Sequence, residues 1–204
     1  MSKTLNTETI QSVISQHIAS NRLLTGINEI DNLTGGIQAG ELIVIGGRPA
    51  SGKTKLALKL MLRMGLRHAY HSVFYTLELN KEQVLQRILH ERKLSLKSLH
   101  EANIHICDNS IISLEDIEQD TLKLNTISPV NLVVIDYIQL LAESASIEIW
   151  NKMKALAIRE NLTMIVLSSL KSSYSTDSPK HQPTENLLNV TPEPSAIDYT
   201  YLLP

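Results

Sequence analysis

The sequence predicts an α/β fold with a mostly parallel sheet flanked by helices. Three observations carry that expectation. From Glu41 onward, short β-branched runs alternate with helix-like runs of ten or more residues, the pattern of successive βαβ units. A glycine-rich stretch, GGRPASGKT at 46–54, stands between one such strand and one such helix, where a phosphate-binding loop belongs. Carboxylates close three further strand-like runs, and in open parallel sheets ligands sit at the carboxyl ends of the strands.

The elements follow in order. ELIVIG (41–46) is the first strand, and Thr54 to about Arg67 the helix after it. SVFYTLE (72–78) is a strand and KEQVLQRILHERK (81–93) a helix. IHICD (104–108) and SLEDIEQDTLKL (113–124) form the next pair, then NLVVID (131–136) and SIEIWNKMKALAIRE (146–160). TMIVLS (163–168) is a strand, and DYTYLL (198–203) the last one. Residues 171–196 are rich in Ser, Thr and Pro and read as a long, mobile surface loop. Ahead of the sheet, TETIQSVISQHIAS (7–20) puts Ile10, Val13, Ile14 and Ile18 on one helical face. This amphipathic helix either packs on its own domain or docks as an arm on a neighbouring subunit or partner. The organisation is thus an arm over 1–22 and one domain over 23–204.

Composition narrows the function classes. With 204 residues and 43% hydrophobic residues, the chain fills one sizeable core. Its formal net charge of -2 provides no global field for nucleic acid, so any such contact is local. A single cysteine rules out an internal disulfide framework and suits a reducing, cytoplasmic compartment. The polar start MSKTLNTETIQ has no apolar segment of a signal peptide. No apolar run nears the roughly 20 residues a bilayer span needs.

Gly47-x4-Gly52-Lys53-Thr54 matches the P-loop pattern. In that pattern the glycine-rich backbone through Arg48, Pro49, Ala50 and Ser51 turns N–H groups toward phosphate oxygens. The positive end of the next helix adds to the attraction for anions. Lys53 would reach the β- and γ-phosphates of ATP, and Thr54 would offer its hydroxyl to Mg²⁺. A second metal anchor is expected at Asp136, where four apolar residues precede a carboxylate at a strand's end. Glu78 ends another strand and is the candidate base for orienting the attacking water. Other features read as ordinary structure. His105, Cys107 and Asp108 have no matching metal cluster elsewhere, Trp150 belongs to a core stripe, and Lys55, Lys59, Arg63 and Arg67 mark a solvated helix face.

Several stretches carry a resemblance beyond the generic P-loop. LTGINEIDNLTGGIQAGELIVIGGRPASGKTKLALKL (24–60) resembles the opening of the ATPase domain of the hexameric replicative DNA helicases of the DnaB family. FYTLELNKEQVLQRIL (74–89), VVIDYIQLL (133–141) and KALAIRENLTMIVLSSL (154–170) are similar to its later segments in the same order, and SAIDYTYLL (195–203) more weakly so. The resemblance implies a RecA-like fold, Mg²⁺-ATP chemistry and a homo-oligomeric ring or filament. It assigns Lys53 and Thr54 to phosphate and metal, Asp136 to metal, and Glu78 to catalysis. It matches Arg48 and Pro49 to the family's Arg-Pro, and Gln139 to a coupling position after its Asp-Tyr-Leu.

The departures shape a second expectation. Ser168-Ser169-Leu170 stands where the family has Ser-Gln-Leu, whose glutamine senses the γ-phosphate and contacts DNA. LLAESASIEIW (140–150) carries Glu143 and Glu148 and no basic residue, and loop 171–196 offers only Lys171, Lys180 and His181. Few neutralised phosphates mean weak single-stranded DNA binding per subunit. The family's arginine finger is expected beyond Pro204 or on another chain. The alternative to a helicase-like ATPase is therefore a nucleotide-binding assembly or regulatory module without unwinding.

Overall fold

The computed structural model describes residues 22–92, 96–141, 148–170 and 196–203. The helix expected over 7–20 and all but the last residue of the loop expected over 171–196 lie outside the described residues. In chain order the elements are α1 (Asn28–Thr34), β1 (Leu42–Gly47), α2 (Lys53–His68), β2 (Ser72–Thr76), α3 (Lys81–Arg92) and α4 (Leu96–Glu101). They continue with β3 (Ile104–Cys107), α5 (Leu114–Asn125), β4 (Leu132–Asp136), a 3-10 turn (Ile138–Leu140), α6 (Glu148–Arg159), β5 (Thr163–Ser169) and β6 (Tyr199–Leu202). The strands form one sheet in the order β3-β2-β4-β5-β1-β6, parallel at every pairing.

The central strands β1, β4 and β5 read as nearly unbroken apolar runs because both sheet faces are covered there. Side chains alternate between the faces. Leu42, Val44, Val133, Ile135, Met164 and Val166 join one core with Ile117 of α5 and Trp150 and Met153 of α6. Ile43, Ile45, Val134, Ile165 and Leu167 join the other with Ile30 of α1, Leu60 and Met61 of α2, and Val84 and Ile88 of α3. Trp150 is 1% exposed, so its ring packs in the core, as its stripe predicts.

Three elements go beyond the sequence reading: α1, α4 and the 3-10 turn. Helix α1 is short and depends on contacts no periodicity reveals. Asp31 accepts bonds from the backbone N–H groups of Thr25 and Gly26 and from the Thr25 hydroxyl, and Leu23 pairs with Ile37. Strand β2 also stops earlier than expected, at Thr76, so Glu78 sits two residues past it in a bend. Asp108 is taken up by Lys81, through an ion pair of 3.0 Å and a backbone bond of 3.1 Å, which ties the end of β3 to the start of α3.

Strand register then positions the site. Gly47 of β1 lies opposite Ser169 of β5, and Thr76 of β2 opposite Asp136 of β4. The Leu77 N–H donates to the Asp136 carbonyl at 2.9 Å. Four strands therefore deliver Gly47, Glu78, Asp136 and Ser169 to one edge of the sheet.

Candidate nucleotide site

The glycine-rich loop is built by two glycines with distinct roles. At Gly47 an added Cβ would lie 2.3 Å from Ser51 Oγ and 3.2 Å from Leu203 Cβ, so only hydrogen fits between loop and β6. Gly52 has φ +98°, a conformation that side-chain-bearing residues rarely adopt. The loop closes through a bond from Ser51 N to Arg48 O at 3.1 Å. Gly52 is also the N-cap of α2 and supplies no side-chain acceptor to the helix's first N–H groups. A 16-residue helix thus starts with uncapped donors and its positive end facing the loop.

Lys53, 8% exposed, folds its side chain along the loop. Its Nζ donates to Gly47 O at 2.7 Å and Arg48 O at 2.9 Å, which leaves one of an ammonium's three protons for a further acceptor. Burial pushes its pKa down, while the charges of Asp136 and Glu78 hold it up. Thr54 Oγ1 donates to Asp136 Oδ2 at 2.7 Å across 82 positions of sequence. Asp136 is 2% exposed. Burial raises its pKa above the usual carboxylate value and the charge of Glu78 adds to the rise; the Thr54 hydroxyl, Lys53 and Arg87 oppose it.

These groups line one cleft of about 380 Å³, together with Pro49, Ala50, Gly52, Lys55, Tyr137 and Ser169. Glu78 belongs to the lining and is exposed, consistent with a carboxylate open to water. Arg48 is exposed at the loop's shoulder. Ser51 Oγ is buried with no hydrogen-bond partner, an orphan donor inside the loop. Gln139 touches the site indirectly: its amide bonds to Ser168 and to Ser169, and Ser169 reaches the cleft. Sequence reasoning missed Arg87. This exposed α3 arginine joins the lining, and its charge is felt at Asp136. Its only signal was a basic residue nine positions after Glu78, on the helix that follows it.

The arrangement offers hard oxygen donors, Thr54 Oγ1 and Asp136, beside an ammonium and uncapped helix N–H groups. That donor set fits a small divalent cation next to phosphate. A larger groove of about 510 Å³ lies alongside, between α2 and α3, and shares Lys55 and Arg87 with the cleft. Its remaining lining includes no carboxylate, so it lacks the donors that single out the smaller cleft.

Comparison with known proteins gives a consistent picture. A family model described as the DnaB-like helicase C terminal domain matches residues 23–96 and 91–188. A probable replicative DNA helicase of Guillardia theta is 29% identical over 193 residues, covering 80% of this chain and 32% of that protein. The replicative DNA helicase DnaB of Geobacillus stearothermophilus is 28% identical over 179 residues, covering 73% and 39%. The chain thus spans about a third of the length of the curated relatives it matches. Among solved structures, the ATPase domain of G40P superposes with a TM-score of 0.75 at 20% identity, covering 95% of this chain and 81% of that one. A KaiC-like protein from Pyrococcus horikoshii shares the fold at a TM-score of 0.62 and 21% identity, covering 76% and 74%.

Proposed function

The chain belongs to the family of DnaB-like helicase C-terminal domains, and from that premise we propose that it binds and hydrolyses Mg²⁺-ATP in the cleft at the sheet's carboxyl edge. The observation that carries the reading is the convergence of Lys53, Thr54, Glu78 and Asp136, from one helix start and two strand ends, on a single cleft.

The chemistry follows from these side chains. The uncapped backbone N–H groups at the start of α2, from Gly52 to Thr54, receive the phosphate oxygens, and Lys53 offsets the charge that builds on the transferring group. Mg²⁺, held by Thr54 and Asp136, would neutralise the phosphate oxygens. Glu78 accepts a proton from a water aimed at the terminal phosphorus; the phosphorus–oxygen bond to ADP breaks and inorganic phosphate leaves. Arg87, at the rim, adds positive charge on the side of Glu78 and Asp136.

The test is turnover in saturating Mg²⁺-ATP for wild type and Glu78→Gln. The glutamine cannot take a proton, so turnover should fall by about 10²–10⁴ with ATP binding kept. Equal turnover in both proteins would remove Glu78 from this role.

A second reading, an ATP-gated assembly or regulatory module that does not unwind DNA, is favoured by Ser168-Ser169-Leu170 and the sparse basic residues after Gln139. In either reading the domain works as a homo-oligomer, ring or filament, with weak contact to single-stranded DNA and with residues 7–20 as a docking arm. Unwinding of a forked duplex by the purified chain would eliminate the second reading.

A further inference from the structure

The groove between α2 and α3 has a cavity volume of about 510 Å³ and lies beside the nucleotide cleft. Its lining spans about two helical turns on each side, from Lys55 to Leu62 on α2 and from Gln83 to His90 on α3. Its floor is apolar. Leu58 and Leu62 stand one turn apart on α2, and Ile88 joins them from α3. Its polar rim carries one sign of charge. Lys55, Lys59, Arg87 and His90 belong to the lining, and no carboxylate does. Among the described residues no ion pair joins Lys59, Arg87 or His90 to a carboxylate. On a chain of net charge -2 this is a local concentration of cations. Lys55 and Lys59, which read as a solvated helix face in the sequence, thus stand along an apolar trough.

We propose that this groove docks an amphipathic helix of a partner protein, apolar along one stripe and acidic along its flanks. A helix laid in a groove anchors through side chains at i, i+4 and i+7, which is the two-turn length of this floor. The rim selects the flanks: acidic side chains pair with it, and basic ones meet like charge. Single-stranded nucleic acid fits less well, because the lining includes no aromatic ring on which a base could stack. The chain's own segment 7–20 has an apolar stripe, but Glu8 is its one acidic residue, so it matches the floor and not the rim. Lys55 and Arg87 line both groove and cleft, so a docked helix would lie directly beside the nucleotide site.

The test uses the full chain without nucleotide, so its outcome does not depend on the nucleotide reading. The probes are two dye-labelled synthetic helices with leucines along one stripe, one flanked by glutamates and the other by lysines. Anisotropy titrations at physiological salt should show the acidic helix binding about tenfold more tightly than the basic one. Lys59 and His90 lie outside the cleft, and the double variant Lys59→Glu, His90→Glu should reverse that preference. Lys59→Gln alone, a milder change should the double variant not fold, should weaken the acidic helix about threefold. Equal binding of the two helices to wild type would overturn the proposal, as would an acidic preference unchanged in Lys59→Gln. Displacement of the acidic helix by oligothymidylate would assign the groove to nucleic acid instead. Displacement by a peptide of residues 7–20 at equal concentration would assign it to the chain's own arm and overturn the proposal as well.

Discussion

Single residues at the site carry a cost in stability. Asp136 places a carboxylate at 2% exposure, with Glu78 adding like charge, and Lys53 is nearly as buried. Burying an ion disfavours the charged form unless its partners compensate fully, and the upward shift of Asp136 shows that here they do not. Asp136→Asn keeps an acceptor for the Thr54 hydroxyl and removes the charge. In metal-free buffer at neutral pH its melting temperature should rise above wild type, while Mg²⁺-dependent nucleotide binding is lost. A lower melting temperature would mean that Lys53 and Arg87 more than offset the desolvation of Asp136. Residues of this kind were largely legible, because a glycine-rich loop and a carboxylate after an apolar strand have few other uses. Arg87 was not, since one arginine on an amphipathic helix is ordinary until the helix is seen beside the cleft.

At the scale of elements, two helices show how local and non-local signals divide. Helix α5 begins with a reciprocal cap: Ser113 Oγ accepts from Asp116 N at 3.1 Å, and Asp116 Oδ2 accepts from Ser113 N at 2.9 Å. The Ser113 bonds hold the Asp116 carboxyl below its ordinary value. Its contribution is therefore present above the unfolded carboxylate range and is lost as pH falls through the lower, folded value. Ser113→Ala should lower the melting temperature by about 2–4 °C at pH 7. The difference from wild type should shrink in strong acid, and one that stays constant down to about pH 2 would contradict the cap's role. Helix α2 has a non-local constraint. A Cβ at Gly65 would lie 2.1 Å from Ala102 O, just past the end of α4. Gly65→Ala should destabilise by about 1–3 kcal/mol through overpacking, although alanine is the better helix former. A denaturant midpoint at or above that of wild type would show that α4 yields. Both helices contain signals in the sequence, but only the cap is local enough to be read there.

Weak single-stranded DNA binding should appear as a shallow salt dependence, with log K against log salt sloping by about −2 or less in magnitude, for about three phosphates or fewer. Anisotropy titrations across salt concentrations would show it, and a steep slope would reveal basic contacts supplied by assembly. Removing residues 1–20 should change the oligomeric state seen by sedimentation; an unchanged profile would discard the docking arm. Among the described residues no helix is long and apolar enough to cross a membrane. The sequence by itself determined the α/β class, the order of its strands and of its longer helices, the glycine loop, and the carboxylates that stand beside it. It did so because periodicity, β-branching and the conformational demands of glycine act between near neighbours. Only the tertiary structure decided that β1 lies between β5 and β6, that Thr54 meets Asp136, that Arg87 enters the cleft, and that Gln139 holds Ser169. Those are pairings across tens of residues, set by which faces can be buried together, and no local pattern encodes them.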